Sequence, residues 1–349
     1  MDITSRISVP TLVRMKPGAL DRLGLYLQRP QFRRPALFYS EGMIEEILSR
    51  AHASLREKNM ELVASASVAA ASLEDATAGF TSLSPECDSV IGLGGGKALD
   101  TAKYIAFLAR KPYYAVPTSL SNDGFCSPGS SLTVAGRRRS LPSALPYAVI
   151  VDTDVCLNAP VDLWRSGVGD LMAKITAVHD WKLAFHARGE RVEDLAALLS
   201  DATVMQFIAS PTHDTHGVRL LATALMLNGI AMEICGSSRP ASGSEHLISH
   251  ALDELTGGAH LHGVQVGLAT YLVSQLQQQG TERIASVFDR TGFWDTVRAR
   301  PFQRAVWLDA VRRAPSVKQN FYTVLSEGDP ARKMEAIIDS DPKLEGCFT

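Results

Sequence analysis

Asp170, His246, His250 and His262 are residues of the types that hold a divalent metal, and their order along the chain is the first chemical signal in the sequence. His246 and His250 stand four apart, so on a helix both side chains project to one face, with Asp253 three residues further along it. His262 follows and precedes a glycine, and Asp170, after Gly167-Val168-Gly169, is read as opening another helix. A lone histidine on a helix is ordinarily a core or surface residue. Two in register with a third downstream point to a metal centre, and nitrogen with carboxylate ligands suits Zn²⁺ or Fe²⁺. Spacing alone favours His246 with His250. The same spacing occurs in zinc proteases, but there a catalytic Glu follows the first His; here Leu247 follows and Glu245 precedes, which argues against a protease.

A second signal lies upstream, where Gly94-Gly95-Gly96-Lys97-Ala98-Leu99-Asp100 separates an expected strand, 89–93, from a helical face formed by Ala98, Ala102, Ile105 and Leu108. Missing β-carbons at a strand-to-helix turn let a phosphate approach backbone N–H groups at the positive end of a helix dipole. The spacing is neither the usual dinucleotide fingerprint nor a P-loop, yet a nucleotide pyrophosphate is its natural guest. Residues 117–128 add a loop dense in hydroxyl, amide and carboxylate groups, which include Thr118, Ser119, Ser121, Asp123 and Ser127. It follows the expected strand 113–116 and so belongs at the carboxyl end of a parallel sheet, where open α/β folds bind ligands.

These segments need elements to hold them. With 349 residues the chain suggests two domains at about 150 residues each. Strands at 36–39, 89–93 and 113–116 alternate with helical periodicity, for instance over 43–55, and predict parallel strands with crossover helices. Beyond about Asp162 long helices take over, with Leu171, Ile175, Val178, Trp181 and Phe185 stepping by three or four. The expected organisation is an α/β nucleotide-binding domain over 1–160 and an all-α metal and substrate domain over 161–349.

Charge and composition narrow the partners. Lys+Arg of 35 against Asp+Glu of 37 gives a net charge of −2, which leaves no overall basic field for nucleic acid or an anionic membrane. The run Arg137-Arg138-Arg139 reads as a solvated loop. Five cysteines without a CxxC pair argue against a disulfide framework and a four-cysteine zinc site, and fit a reducing cytoplasm. Residues 1–18 carry Arg6, Arg14 and Lys16 and no apolar core, so no secretory leader is expected. The apolar run 220–234 is broken by Asn228 and Gly229 and carries Glu233; short of the ~20 residues of a bilayer span, it reads as a buried helix. A homo-oligomer is the expected assembly.

Taken together, five blocks make the chain resemble the sn-glycerol-1-phosphate dehydrogenases, within the superfamily of iron-containing alcohol dehydrogenases, glycerol dehydrogenases and dehydroquinate synthases. They are Gly94 to Asp100, Pro117 to Gly124, Gly169-Asp170-Leu171-Met172-Ala173-Lys174 with Asp180-Trp181, Ser242 to Asp253, and His262 to Gly267. The resemblance implies a dehydroquinate synthase-like fold, with Asp170, His246 and His262 as metal ligands and His250 left to contact substrate. It places Gly94, Gly95, Gly96, Lys97, Asp100, Thr118, Ser119, Ser121 and Ser127 on a nicotinamide cofactor, NAD(H) or NADP(H), and Asp123 near the substrate with a catalytic role beside His250. Zn²⁺ is the expected metal, with Fe²⁺ or Ni²⁺ as alternatives. The substrate pair it implies is dihydroxyacetone phosphate and sn-glycerol 1-phosphate.

Two further expectations attach to this reading. Ser40 and Glu41, at the end of an earlier strand, are placed near the adenosine ribose, where a carboxylate favours NAD(H) over NADP(H). Arg239 and Lys174 are offered as partners for the substrate phosphate. Three alternatives stand beside the main one: a reductase of another small polyol or phosphonate ketone, a sugar-phosphate cyclase resembling dehydroquinate synthase, and a nucleotide-binding scaffold without catalysis. Asp170 speaks against the cyclase, whose relatives carry Glu there, and the intact ligand set speaks against the scaffold.

Overall fold

The computed structural model describes residues 7–349; the first six, including Arg6 of the segment read for a leader, lie outside it. The chain divides into two compact units, one of Met1–Ala159 with Asp214–Glu233, the other of Pro160–His213 with Ile234–Thr349. The segment Asp214–Glu233, on the helical side of the sequence division at 160, thus groups with the α/β residues.

The first unit is built on a six-stranded parallel sheet in the order β1-β8-β5-β4-β2-β3. Its strands are β1 (Leu12–Lys16), β2 (Pro35–Ser40), β3 (Ala64–Val68), β4 (Ser89–Gly94), β5 (Tyr113–Pro117) and β8 (Ala148–Asp152), with β6 (Gly129–Val134) and β7 (Arg137–Pro142) forming a separate hairpin. The central strands are buried along their whole length, because a parallel sheet is covered on both faces. Alternation splits their side chains between two cores. Leu37, Ile91, Tyr114 and Ile150 pack with Leu20, Leu23 and Leu27 on one side, and Phe38, Val90 and Ala115 pack with Ala98, Ala102 and Ile105 on the other.

The strand order fixes where a ligand can sit. From β2 the chain moves outward to β3, whereas β4 lies on the other side of β2 and leads on to β5. The direction of winding therefore reverses between β2 and β4, and their carboxyl ends, Ser40 and Gly94, flank the resulting crevice.

Two local expectations are corrected here. Arg137, Arg138 and Arg139 are exposed as read, but they lie in β7, because Ala135 and Gly136 both take positive φ (50° and 75°) and close a tight hairpin. The apolar run lies in a helix, Thr215–Cys235, whose 21 residues are long and apolar enough to cross a membrane by length and composition, so its length does not exclude a span. It is a packed element: 56% of its apolar window is buried, and Gly229 lets the Cys126 carbonyl approach where a β-carbon would clash.

The second unit is helical. Val161–Arg188, Asp194–Ala209, Ser244–Thr256, His262–Gln277, Thr281–Thr291 and Arg304–Val317 are its longer helices, around a core that includes Trp181, Phe288, Phe293 and Trp307. Asp170 does not open a helix. It lies well inside Val161–Arg188, which runs through Gly167 and Gly169 despite their poor propensity, and a neighbouring helix presses against Gly169.

Candidate functional site

Three helices of the second unit each bring one residue to a common point. Asp170 comes from Val161–Arg188, His246 from the first turn of Ser244–Thr256, and His262 is the first residue of His262–Gln277. Asp170 Oδ1 lies 3.4 Å from His246 Nε2 and 4.0 Å from His262 Nε2, and the three ligand atoms fall within 4.8 Å of one another. Among the described residues this is the group of side chains that could hold a metal ion. His250, one helical turn beyond His246, keeps its ring 6.1 Å from that of His262 and is not in the cluster. The partner that the structure brings to His246 is His262, delivered by a neighbouring helix, and not His250, the partner that spacing on a single helix suggested.

The surroundings orient these groups. Glu245 Oε1 accepts from His246 Nδ1 at 2.9 Å, which leaves Nε2 facing Asp170. Glu245 is itself held by the Gly243 N–H and the Thr176 hydroxyl. Ser249 Oγ lies 3.1 Å from His262 Nδ1, again on the ring edge away from Asp170. Burial opposes a charge on His246, but hydrogen bonding to Asp170 and Glu245 outweighs it and pushes the imidazole up to about 9. Burial likewise opposes ionisation of Asp170, yet Lys174 and His246 hold it below the usual carboxylate range. Two imidazole nitrogens and one carboxylate oxygen converging where Asp170 and His246 are buried form a donor set for a cation.

Lys174 and Arg239 are both committed elsewhere than to a substrate phosphate. Lys174 is fully buried, 3.6 Å from Asp170 Oδ1, and donates to the Ala241 carbonyl at 3.2 Å. Arg239 is not a surface residue: it is 1% exposed, pairs with Glu190, donates to the Tyr322 carbonyl at 2.9 Å and stacks on Phe321.

In the first unit the glycine loop lies at the reversal of the sheet. Gly94 has φ of 137°, and a β-carbon there would fall 2.1 Å from Ser40 Oγ. Ser40 Oγ accepts the Gly95 N–H at 3.0 Å, so this serine shapes the loop rather than standing apart from it. β-carbons at Gly95 and Gly96 would meet nothing within 4 Å, which leaves the backbone open to a phosphate at the start of Gly96–Ala109. Lys97 is exposed on that first turn, and the Thr118 N–H donates to the Gly94 carbonyl at 3.1 Å, tying the two loops together. Ser119 and Ser121 are half-buried beyond it. Asp100 is buried in a pair with Lys103 at 3.2 Å. Lys103 also donates to the Gly124 carbonyl at 2.7 Å and to Ser127 Oγ at 3.1 Å, which fastens the turn Asp123–Cys126. Sequence reasoning missed Lys103, Ser249 and Gln265; the Asp100-to-Lys103 spacing of three was the visible hint of the first.

The sequence profile of the iron-containing alcohol dehydrogenases matches residues 14–160. A glycerol-1-phosphate dehydrogenase [NAD(P)+] of Hyperthermus butylicus is 34% identical over 333 residues, covering 92% of this chain and 94% of that protein. The chain belongs to the glycerol-1-phosphate dehydrogenase family. A family relative from Staphylothermus marinus is 42% identical over 68% of each chain. The fold is shared more widely: glycerol dehydrogenase from Schizosaccharomyces pombe superposes with a TM-score of 0.75 at 18% identity, over 97% of this chain and 91% of that one. As a member of the family the chain is an oxidoreductase.

Proposed function

We propose that this enzyme interconverts dihydroxyacetone phosphate and sn-glycerol 1-phosphate, using NAD(H) or NADP(H) and a divalent metal held by Asp170, His246 and His262. The convergence of those three ligand atoms within 4.8 Å is the observation that carries the reading. When bound, the metal would supply Lewis acidity at the substrate oxygen and the nicotinamide a hydride at carbon. Zn²⁺ suits the two-imidazole, one-carboxylate set, and Fe²⁺ or Ni²⁺ would fit the same donors.

The protein's own groups do the positioning. Glu245 and Ser249 orient the two imidazoles, and burial of Asp170 and His246 keeps water from competing for them. Gly94, Gly95, Gly96 and Lys97 receive the cofactor pyrophosphate, with Thr118, Ser119, Ser121 and Ser127 from the adjacent loop; Asp100 supports that loop through Lys103. Asp123 and His250 are the residues proposed for substrate hydroxyl recognition or a proton path. The exposed apolar side chains Leu195, Leu198 and Met205 on one helix support a homo-oligomer, readable by light scattering.

The test is oxidation of NADH and NADPH by the metal-loaded protein against a panel of ketones. Dihydroxyacetone phosphate should exceed dihydroxyacetone in kcat/KM by orders of magnitude, since charge-assisted bonds are worth roughly 1.5 to 3 kcal/mol each. Equal rates for the two ketones would overturn the phosphorylated substrate, and phosphate release without net cofactor oxidation would indicate a cyclase.

A further inference from the structure

The orientation of His262 is set by groups two and three hydrogen bonds away from it. His262 Nδ1 lies 3.1 Å from Ser249 Oγ, Ser249 Oγ lies 2.6 Å from Gln265 Oε1, and Gln265 Nε2 lies 3.1 Å from Asp253 Oδ1. Ser249 and Gln265 are completely buried, so their polar atoms must be satisfied within this chain of contacts. An ionised carboxylate accepts and cannot donate. Asp253 therefore faces the amide NH₂ of Gln265, which turns the Gln265 carbonyl oxygen toward Ser249. A carbonyl also only accepts, so the single Ser249 hydroxyl proton goes to Gln265. Ser249 Oγ is left as an acceptor toward His262, and Nδ1 must supply the proton. The neutral ring then carries its lone pair on Nε2, the nitrogen facing Asp170 Oδ1 at 4.0 Å.

We propose that Asp253, Gln265 and Ser249 act as a directional relay that locks His262 in the Nδ1–H tautomer and thereby sets the enzyme's affinity for its metal. The inference rests on the proposed reading that His262 is a ligand. The three are positioning residues, acting through His262. Sequence spacing had put Asp253 on the face of His246 and His250; the relay gives it a task at one remove from the metal, through a glutamine on the next helix.

Asp253→Asn tests the direction of the relay with nearly the same shape. An amide can donate to Gln265 as well as accept from it, so the direction is no longer fixed: in the reversed arrangement Gln265 donates to Ser249, the Ser249 hydroxyl turns toward Nδ1, and the ring proton moves to Nε2. Ser249→Ala removes the acceptor altogether. Zinc dissociation constants from chelator competition should rise about 10- to 100-fold in each variant, the range for losing a group that orients a metal-bound histidine. Long-range ¹H–¹⁵N correlation on metal-free, ¹⁵N-histidine-labelled protein reads the tautomer directly, with the His262 signals assigned by their loss in His262→Gln. The wild type should show Nδ1 protonated, and Asp253→Asn should show a mixture that includes the ring with Nε2 protonated. A wild-type His262 protonated on Nε2 overturns the relay. Zinc constants within about twofold of wild type in both variants overturn it as well. Full zinc affinity in His262→Gln would instead remove His262 from the ligand set, a failure of the underlying reading that this arm separates from failure of the relay.

Discussion

A β-carbon on Gly169 would lie 2.1 Å from the carbonyl oxygen of Gly263, so the helices that carry Asp170 and His262 cross with their backbones in contact immediately beside the two ligands. The approach is mutual, since a β-carbon on Gly263 would fall 1.9 Å from the Ser166 carbonyl oxygen. Gly169→Ala must push the helices apart, and overpacking of this kind costs typically 1–3 kcal/mol. Because Asp170 and His262 ride on the displaced segments, zinc affinity should fall by a larger factor than stability accounts for. Urea unfolding and chelator competition on the same variant check this, and an unchanged zinc constant would detach the crossing from the site.

Removal of any one of Asp170, His246 or His262 by alanine would leave two donors of the proposed three. Each single variant should lose stoichiometric zinc and turnover together, as read by elemental analysis and NADH oxidation. His250→Ala should keep its zinc and lose activity, because its ring stands outside the ligand group. Full metal occupancy in His262→Ala would contradict the assignment.

The adjacent glycines of the proposed cofactor loop should respond differently. Gly95 has φ of −86° and an open β-carbon position, so Gly95→Val should fold normally and raise the cofactor dissociation constant strongly by filling the space above the helix start. Gly94 has φ of 137° and no room beside Ser40, so Gly94→Val should lower the thermal midpoint as well. Fluorescence titration with NADH alongside thermal melts separates the two. Unchanged NADH affinity in Gly95→Val would take the loop out of the cofactor site.

Much of this architecture was legible because local periodicity reports local structure. β4, the glycine turn and the following helix are written in one continuous segment, and the strand at 113–116 is bounded by its own proline. What could not be read was whatever depends on neighbours distant in sequence. Asp170 sits mid-helix because Gly263, far along the chain, packs against Gly169, and no window around Gly167 and Gly169 contains that fact. His250 looked like a ligand since helix spacing sees one helix at a time; His262 reaches the cluster from the next one. The same limit hid Lys103, whose partners Gly124 and Ser127 lie in the following loop.

Arg239 illustrates the energetic side of that limit. Its guanidinium is buried against Glu190, the Tyr322 carbonyl and the Phe321 ring, so Arg239→Ala should act on stability and not on the preference for a phosphorylated ketone. Breaking a buried pair costs on the order of 3 kcal/mol, toward the lower end here since Glu190 can turn to solvent. Urea unfolding should show that loss, while the kcat/KM ratio of the two ketones in the surviving folded enzyme stays as in wild type. A collapsed ratio would return Arg239 to the substrate.

Asp180 gives the unit a pH dependence of its own. Burial, and then the neighbouring charge of Glu245, push this carboxyl up, while the backbone N–H groups of Ser244 and Val324 favour its ionised form, for a net value of about 6. The amide of Gln277 also donates to it, at 3.0 Å. In the unfolded chain the same group titrates near 3.9. Between those values the folded protein retains a proton that the unfolded chain has released, so stability falls as pH rises through the window. The contribution is fully present below about pH 4 and lost above about pH 6, amounting to about 3 kcal/mol over the two-unit shift. Asp180→Asn cannot titrate, and its amide sets donors against donors, so it should be less stable than wild type at acidic pH. Its deficit should shrink as pH is raised from 4 to 6. Urea unfolding of both proteins across that range measures the difference, and a deficit that is flat or grows with pH would show that Asp180 is held charged in the fold.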